Sequence, residues 1–127
     1  MICLDTNYLI RGLIPGTEEA GEIKSWLKGG IPLTAPAIVW YEFCCGPVQD
    51  REIETVRSVL TEGVLPFGEA EAENAARLFN AVGRVRRLRV DTMVAAAALC
   101  AGAELATSNR SDFEAFCRYG LRLYGNE

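Results

Sequence analysis

Short apolar runs and longer segments alternate along the chain. The short runs, at positions 2–4, 31–35, 64–67, 104–107 and 121–124, predict five β-strands. The longest of the other segments, 69–86, has apolar residues close to the 3.6-residue period of a helix. We therefore expect helices at 7–14, 18–28, 36–45, 48–61, 69–86, 91–101 and 113–118.

Several helix ends are predicted by the residues that commonly occupy them. Glu18 and Glu19 would lie in the first turn of the second helix, where acidic side chains favour the helix dipole. Pro36 is expected as the first helical residue of the third helix. Gly102 is expected to stop the alanine-rich helix that Asp91 opens.

The order of the elements predicts the fold class. Strands that alternate with helices favour an α/β fold in which a mostly parallel sheet of about five strands lies between two layers of helices. With 127 residues and no linker or repeat, the chain is expected to form one domain over 1–127. Ligands of such sheets bind beyond the carboxyl ends of the strands.

Composition narrows the possible chemistry. The chain has no histidine, so a general base would have to be a carboxylate, a lysine, a tyrosine or a metal-bound hydroxide. The five cysteines lack CxxC spacing, and we expect them to be buried, reduced thiols. Without a leader or an apolar run near the ~18 residues that span a bilayer, a cytoplasmic location and no membrane contact are expected.

Acidic residues recur at the predicted strand ends and helix starts. Asp5 follows the first strand, Glu42 lies within a mostly apolar helix, and Asp91 opens the alanine-rich helix. Asn109 and Asp112 follow the strand that ends at 107. Each has an ordinary interpretation, since an exposed helix face would explain Glu42 and helix capping would explain Asp91 and Asp112.

The order of these motifs resembles that of the PIN domains. The segments "LDTNYLI", "APAIVWYEF", "LPF", "DTMVAAAAL" and "ATSNRSDF" are similar in particular to those of VapC-type toxins, the small ribonucleases of prokaryotic toxin–antitoxin pairs. The resemblance covers essentially the whole chain. It implies a PIN-like fold and hydrolysis of RNA phosphodiester bonds at an acidic site with one or two Mg²⁺ or Mn²⁺ ions.

The resemblance also implies roles for individual residues. Asp5, Glu42 and Asp91 match the first three acids of the family. The fourth is open, because one matching position is Asn109 whereas the acid is Asp112. Thr6, Asn7 and Thr107 match the polar residues around the acids. The family further implies a VapB-type antitoxin as partner and a homodimer.

Elementary electrostatics favours a cation at such a site. Three or four carboxylates in one cleft repel each other and would not all stay ionised without one. Oxygen ligands select a hard ion such as Mg²⁺ or Mn²⁺, which acidifies water and stabilises the leaving oxygen.

Arginines cluster beside the third acid, although the net charge of the chain is −4. In "RVRRLR" they could follow an RNA backbone or form an ordinary solvated surface. The candidates for RNA contact are Arg84, Arg86, Arg87, Arg89 and Arg110. An alternative function is a PIN-like RNA-binding or protein-interaction module with weak catalysis.

Overall fold

A parallel sheet forms the centre of the computed structural model, which describes residues 1–125. Its strands are β1 (Ile2–Leu4), β2 (Leu33–Pro36), β3 (Val64–Leu65) and β4 (Glu104–Ala106), and they lie in the order β3-β2-β1-β4. All three pairings are parallel, and Leu4 of β1 pairs with Ala106 of β4. The carboxyl ends of these two strands therefore lie side by side.

The prediction of a fifth strand at 121–124 is wrong for the described residues. This segment forms only an isolated bridge between Leu123 and Leu105. Leu105 donates a backbone hydrogen bond to Arg122 and accepts one from Tyr124, each 2.8 Å long. The segment thus covers the edge of β4 without becoming a regular strand.

Seven helices accompany the sheet, which confirms the mixed α/β class. They are α1 (Thr6–Arg11), α2 (Glu18–Lys28), α3 (Ala37–Cys45), α4 (Asp50–Val59), α5 (Glu69–Ala81), α6 (Arg89–Ala101) and α7 (Arg110–Phe113). Two 3₁₀ turns, Arg86–Leu88 and Glu114–Tyr119, complete the elements of the described chain. The bounds predicted for α2 are confirmed, as is the stop at Gly102, whose backbone is left-handed.

Several other predicted helix bounds are wrong for local reasons. The helix expected over 69–86 ends at Ala81, because Gly83 and Arg84 have left-handed φ angles of 89° and 58° that a helix does not contain. Pro36 ends β2 and precedes α3, so the first helical residue is Ala37. α6 begins at Arg89, which places Asp91 inside its first turn.

The core joins the sheet to α6. Its alanines include Ala95, Ala96 and Ala98, which have no exposed surface, and their small side chains let the helix lie close to β2 and β4.

The prediction that every cysteine is buried is wrong. Cys3 is buried, whereas exposed thiols are found at Cys44, Cys45 and Cys100. Within residues 1–125, no helix has the length and apolar character needed to cross a membrane.

Candidate active site

Asp5 lies at the carboxyl end of β1, where it joins the first and last strands of the sheet. Its Oδ1 accepts a hydrogen bond of 2.8 Å from the backbone N–H of Thr6 and so caps α1. Its Oδ2 accepts one of 2.7 Å from the hydroxyl of Thr107, the residue that follows β4. Burial raises the pKa of Asp5, and the hydrogen bonds from Thr107 and Thr6 oppose that rise. The carboxylate is therefore fixed in position before any ligand arrives.

Glu42 projects from α3 towards the same edge of the sheet. The residues that anchor α3 are Val39 and Phe43, which are fully buried, whereas Glu42 is exposed. Its Oε1 accepts a hydrogen bond of 3.0 Å from the hydroxyl of Thr6. Thr6 thus connects Glu42 to the loop that holds Asp5. The exposed helix face, one of the two alternatives for Glu42 at the level of sequence, is observed, and the role of Glu42 as a ligand stays a prediction.

Asp91 lies half-buried in the first turn of α6, close to the other acids. Burial raises its pKa from 3.8 to about 6, and the negative charges of Asp5, Asp112 and Glu42 add to the rise. The positive charge of Arg87 opposes it. No hydrogen bond from the described residues contributes to this pKa. The structure thus brings all four sequence-predicted acids into one electrostatic environment.

The fourth position is occupied by a small network rather than by a free carboxylate. Arg87 donates to Oδ1 of Asp112 at 2.7 Å, and the side-chain amide of Asn109 donates to Oδ2 at 3.0 Å. These two donors lower the pKa of Asp112, Asn109 more than Arg87. The backbone N–H of Asn109 in turn donates to Thr107 Oγ1 at 3.0 Å. Asn109 therefore positions Asp112 here, and the ligand role of either residue stays a prediction.

The chemistry of this donor set fits a hard divalent cation. All candidate ligands are oxygen atoms, and the negative charges of Asp5, Asp112 and Glu42 add to the rise that burial causes in the pKa of Asp91. Within residues 1–125, however, no three acidic or cysteine side chains are grouped closely enough to hold a metal ion together. A cation at this site would therefore require some carboxylates to rotate, and the ion pair of Arg87 with Asp112 is the contact most directly in its way.

Burial of the Asp91 carboxylate, together with repulsion from the other acids, predicts a pH-dependent gain in stability for Asp91→Asn. A carboxyl group whose pKa is higher in the folded than in the unfolded state stabilises the fold fully below 3.8, and this contribution is lost as the pH rises through about 6. At about pH 7.5, without divalent cations, the variant should be more stable by ~1 kcal/mol, a value discounted for solvent screening. Urea unfolding in chelator at high and low pH measures this difference.

The gain should largely disappear near pH 4, where the wild-type carboxyl is mostly protonated in the folded state. Asp50→Asn on exposed α4 is the matched control and should show no such pH-dependent gain. An equal gain for Asp91→Asn at both pH values would contradict the role of the carboxylate charge.

The predicted arginine cluster is divided among different partners. Arg87 binds Asp112, whereas Arg84 and Arg89 both lie against the ring of Phe79. Arg110 donates a hydrogen bond of 2.6 Å to the carbonyl of Tyr124. Arg86 is exposed in the 3₁₀ turn before α6, and Asn7 is exposed on α1. The five arginines therefore have different surroundings, and their contacts with RNA remain predictions.

Two features of this region were missed from the sequence. The ion pair between Arg87 and Asp112 joins residues 25 positions apart, and no local pattern indicates it. The other is the contact of Arg84 and Arg89 with the ring of Phe79, which the sequence pattern treats only as an apolar residue of a helix. An aromatic residue shortly before an arginine cluster could have indicated this contact.

Comparison with known proteins assigns the chain to a family. The profile of the PIN domain matches residues 2–119, and the chain therefore belongs to the PIN domain family. This confirms the resemblance seen in the sequence motifs. Comparison with curated proteins finds no match.

Several solved structures share this fold. A chain of a toxin-antitoxin complex from Klebsiella pneumoniae is 26% identical with a TM-score of 0.67, and the match covers 90% of this chain and 91% of that one. FitAcB from Neisseria gonorrhoeae gives 21% identity and a TM-score of 0.71 over 97% and 96% of the two chains. VapBC2 from Rickettsia felis, solved bound to a DNA fragment from its promoter, gives 18% and 0.69 over 97% of each chain.

Proposed function

We propose that this protein is a divalent-cation-dependent ribonuclease that hydrolyses RNA phosphodiester bonds. Membership of the PIN domain family supports nuclease activity. The geometry that supports the proposal is the edge of the sheet at which Thr107 bonds Asp5 and Thr6 bonds Glu42. Asp91 lies close enough for the charges of Asp5, Asp112 and Glu42 to add to the effect of burial on its pKa. The negative charge of this site attracts a cation. Because a phosphodiester is also negatively charged, it would bind next to these acids only when a cation lies between them.

The chain's own residues would hold and orient the reacting groups. Asp5, Glu42 and Asp91 would bind one or two Mg²⁺ or Mn²⁺ ions, which supply Lewis-acid chemistry at the phosphoryl group. Thr6 and Thr107 keep Glu42 and Asp5 in position through their hydroxyl groups.

The fourth acid would join the site only after its partners move. Asp112 would become available once Arg87 is released from it, and the freed guanidinium would then lie beside the phosphate.

Metal removal tests this function directly. Purified protein is expected to cut a mixed pool of single-stranded RNA in Mg²⁺ or Mn²⁺, to lose this activity in excess chelator and to regain it when the metal is restored. Gel analysis of end-labelled RNA measures the cleavage. Cleavage that continues unchanged in chelator would contradict the proposal.

We further propose that the ribonuclease is the toxin of a toxin–antitoxin pair. The similarity to the Klebsiella pneumoniae complex supports a VapB-type antitoxin as partner. The partner would restrain the nuclease by covering the acidic edge, which is the side of the sheet at the carboxyl ends of β1 and β4 that carries Asp5, Glu42, Asp91 and Asp112. Exposed apolar residues on and just after α1, Ile10 and Ile14, would suit such a protein contact or a homodimer interface. The exposed thiols fit a reducing compartment, in agreement with a cytoplasmic location.

A second candidate function is a PIN-like module that binds RNA or protein with little catalysis. The ion pair between Arg87 and Asp112 favours it, since this contact engages one of the four acids. Protein that binds RNA but cuts none of the pool in either metal would support the module.

A further inference from the structure

An apolar cavity of about 330 Å³ lies between α5 and α6, away from the four acids. Its apolar lining includes Phe67, Phe79 and Met93, together with the small side chains of Ala72, Ala75 and Ala76. This volume falls at the lower end of the ~300–1,000 Å³ usual for small-molecule sites, which suits one flat ring system.

Two guanidinium groups lie over the aromatic wall of this cavity. The guanidinium carbon of Arg84 is 5.4 Å from the centroid of the Phe79 ring, and that of Arg89 is 5.3 Å from it. Arg84 has a φ of 58°, an unfavourable conformation for a non-glycine residue. It is held there because its backbone N–H bonds the carbonyl of Phe79 at 2.8 Å and its Nη1 bonds Oδ1 of Asn80 at 2.6 Å. The local backbone thus places a positive charge at the mouth of an aromatic cavity.

Charge limits what can occupy this cavity. Arg84 and Arg89 give the cavity a positive charge, which favours an anionic ligand. A ligand that joins a flat aromatic ring to an anion satisfies the apolar walls and the two guanidinium groups at once. A nucleotide has this composition, because its base stacks on aromatic and arginine side chains while its phosphate attracts cations.

We propose that the cavity bounded by Phe79, Arg84 and Arg89 binds an unpaired base of the RNA strand whose phosphodiester is cut at the acidic edge. This inference rests on the proposed ribonuclease function and adds a base-binding site to it. Both sites share α6, since Asp91 and Met93 lie on the same helix with about one helix diameter, ~10 Å, between its opposite faces. Neighbouring nucleotides of one strand could therefore reach both.

Binding measured in chelator tests the cavity without any cleavage. Two fluorescein-labelled probes are compared by fluorescence anisotropy: a short mixed-sequence single-stranded RNA, and the same backbone with abasic positions. Phe79→Leu should weaken binding of the RNA about tenfold, because it removes the ring against which the guanidinium groups of Arg84 and Arg89 pack, and with it their ordered stacking surface, but keeps an apolar side chain. Its affinity for the abasic probe and the slope of affinity against salt should not change, because every arginine is retained.

Tyr119→Leu is the matched control. The guanidinium carbon of Arg118 lies 5.5 Å from the centroid of the Tyr119 ring, as the arginines do at Phe79. Tyr119 is exposed, whereas Phe79 is half-buried, and Tyr119 does not line the cavity. This variant should bind both probes as the wild type does, and thermal melts verify that both variants are folded. A loss confined to Phe79→Leu and to the probe with bases supports the proposal.

Three results would overturn the proposal: unchanged RNA affinity of Phe79→Leu, equal losses on both probes, or a change of oligomeric state in sedimentation that marks the cavity as a contact between copies. These results are separable from failure of the ribonuclease. Metal-dependent cleavage with unchanged binding by Phe79→Leu would reject the cavity alone. Base-dependent binding without cleavage would reject the nuclease alone.

Discussion

Asp5→Asn should reduce metal-dependent RNA cleavage by at least ~100-fold, the largest effect on activity that we expect from a single substitution. The variant removes one negative charge from the acidic edge and replaces a carboxylate oxygen by an amide that binds a hard cation poorly. It also removes one of the two hydrogen bonds from Thr6 and Thr107, since the amide oxygen can accept in one position but the amide nitrogen cannot accept in the other. Initial cleavage rates in Mg²⁺ and Mn²⁺, compared with those of the wild type, measure the loss.

The chain contains a matched control for this substitution. Asp50→Asn makes the same chemical change in the first turn of α4, where the side chain is exposed, and it should retain full activity. Circular dichroism and urea unfolding show whether Asp5→Asn is folded under assay conditions. Near wild-type cleavage by folded Asp5→Asn would remove Asp5 from the metal site and the acidic edge from the mechanism.

Phe43→Ala should lower the free energy of unfolding by ~3–5 kcal/mol, the largest stability effect that we expect. Phe43 has no exposed surface and packs between α3 and the sheet, so truncation leaves a cavity that the rigid core fills only in part. Because a domain of this size has a total stability of ~5–15 kcal/mol, the variant should approach the limit of folding. Urea unfolding followed by fluorescence gives the change in the midpoint.

Tyr41→Ala is the control on the same helix. Tyr41 is 67% exposed and lies on the other side of Glu42 in sequence, so its truncation leaves no buried cavity and should change stability little. Equal losses for Tyr41→Ala and Phe43→Ala would mean that α3 is not anchored through Phe43. The contrast also bears on the site, since the anchoring of Phe43 fixes the direction in which Glu42 projects.

The sequence was most informative where one local rule decided the outcome. Acidic residues at the start and a glycine pair at the end defined α2, and Gly102 stopped α6 through its left-handed backbone. The place of Asp5 followed from a rule of topology, because a parallel sheet gathers its strand ends at one edge. These predictions needed no knowledge of distant contacts.

Predictions that depended on tertiary contacts were less accurate. Hydrophobic periodicity continued past Ala81, and nothing local indicated that Arg84 would adopt a left-handed backbone next to Phe79. The exposure of Cys44 and Cys45 depends on which face of α3 packs inward, and the apolar surroundings in sequence concealed it. Asn109 matches the position of an acid in sequence, and no local pattern indicated that its side-chain amide would donate a hydrogen bond to Asp112.

The hydrogen bond between Thr107 and Asp5 joins residues 102 positions apart. The backbone N–H of Asp5 also donates a hydrogen bond of 3.0 Å to the carbonyl of Ala106, which ends β4. The acidic edge therefore does not exist in any early portion of the polypeptide, because the chain must be made through β4 and closed on its own beginning before the first acid meets its partner. An incomplete translation product ending before β4 would contain Asp5, Glu42 and Asp91 but lack the strand that aligns them.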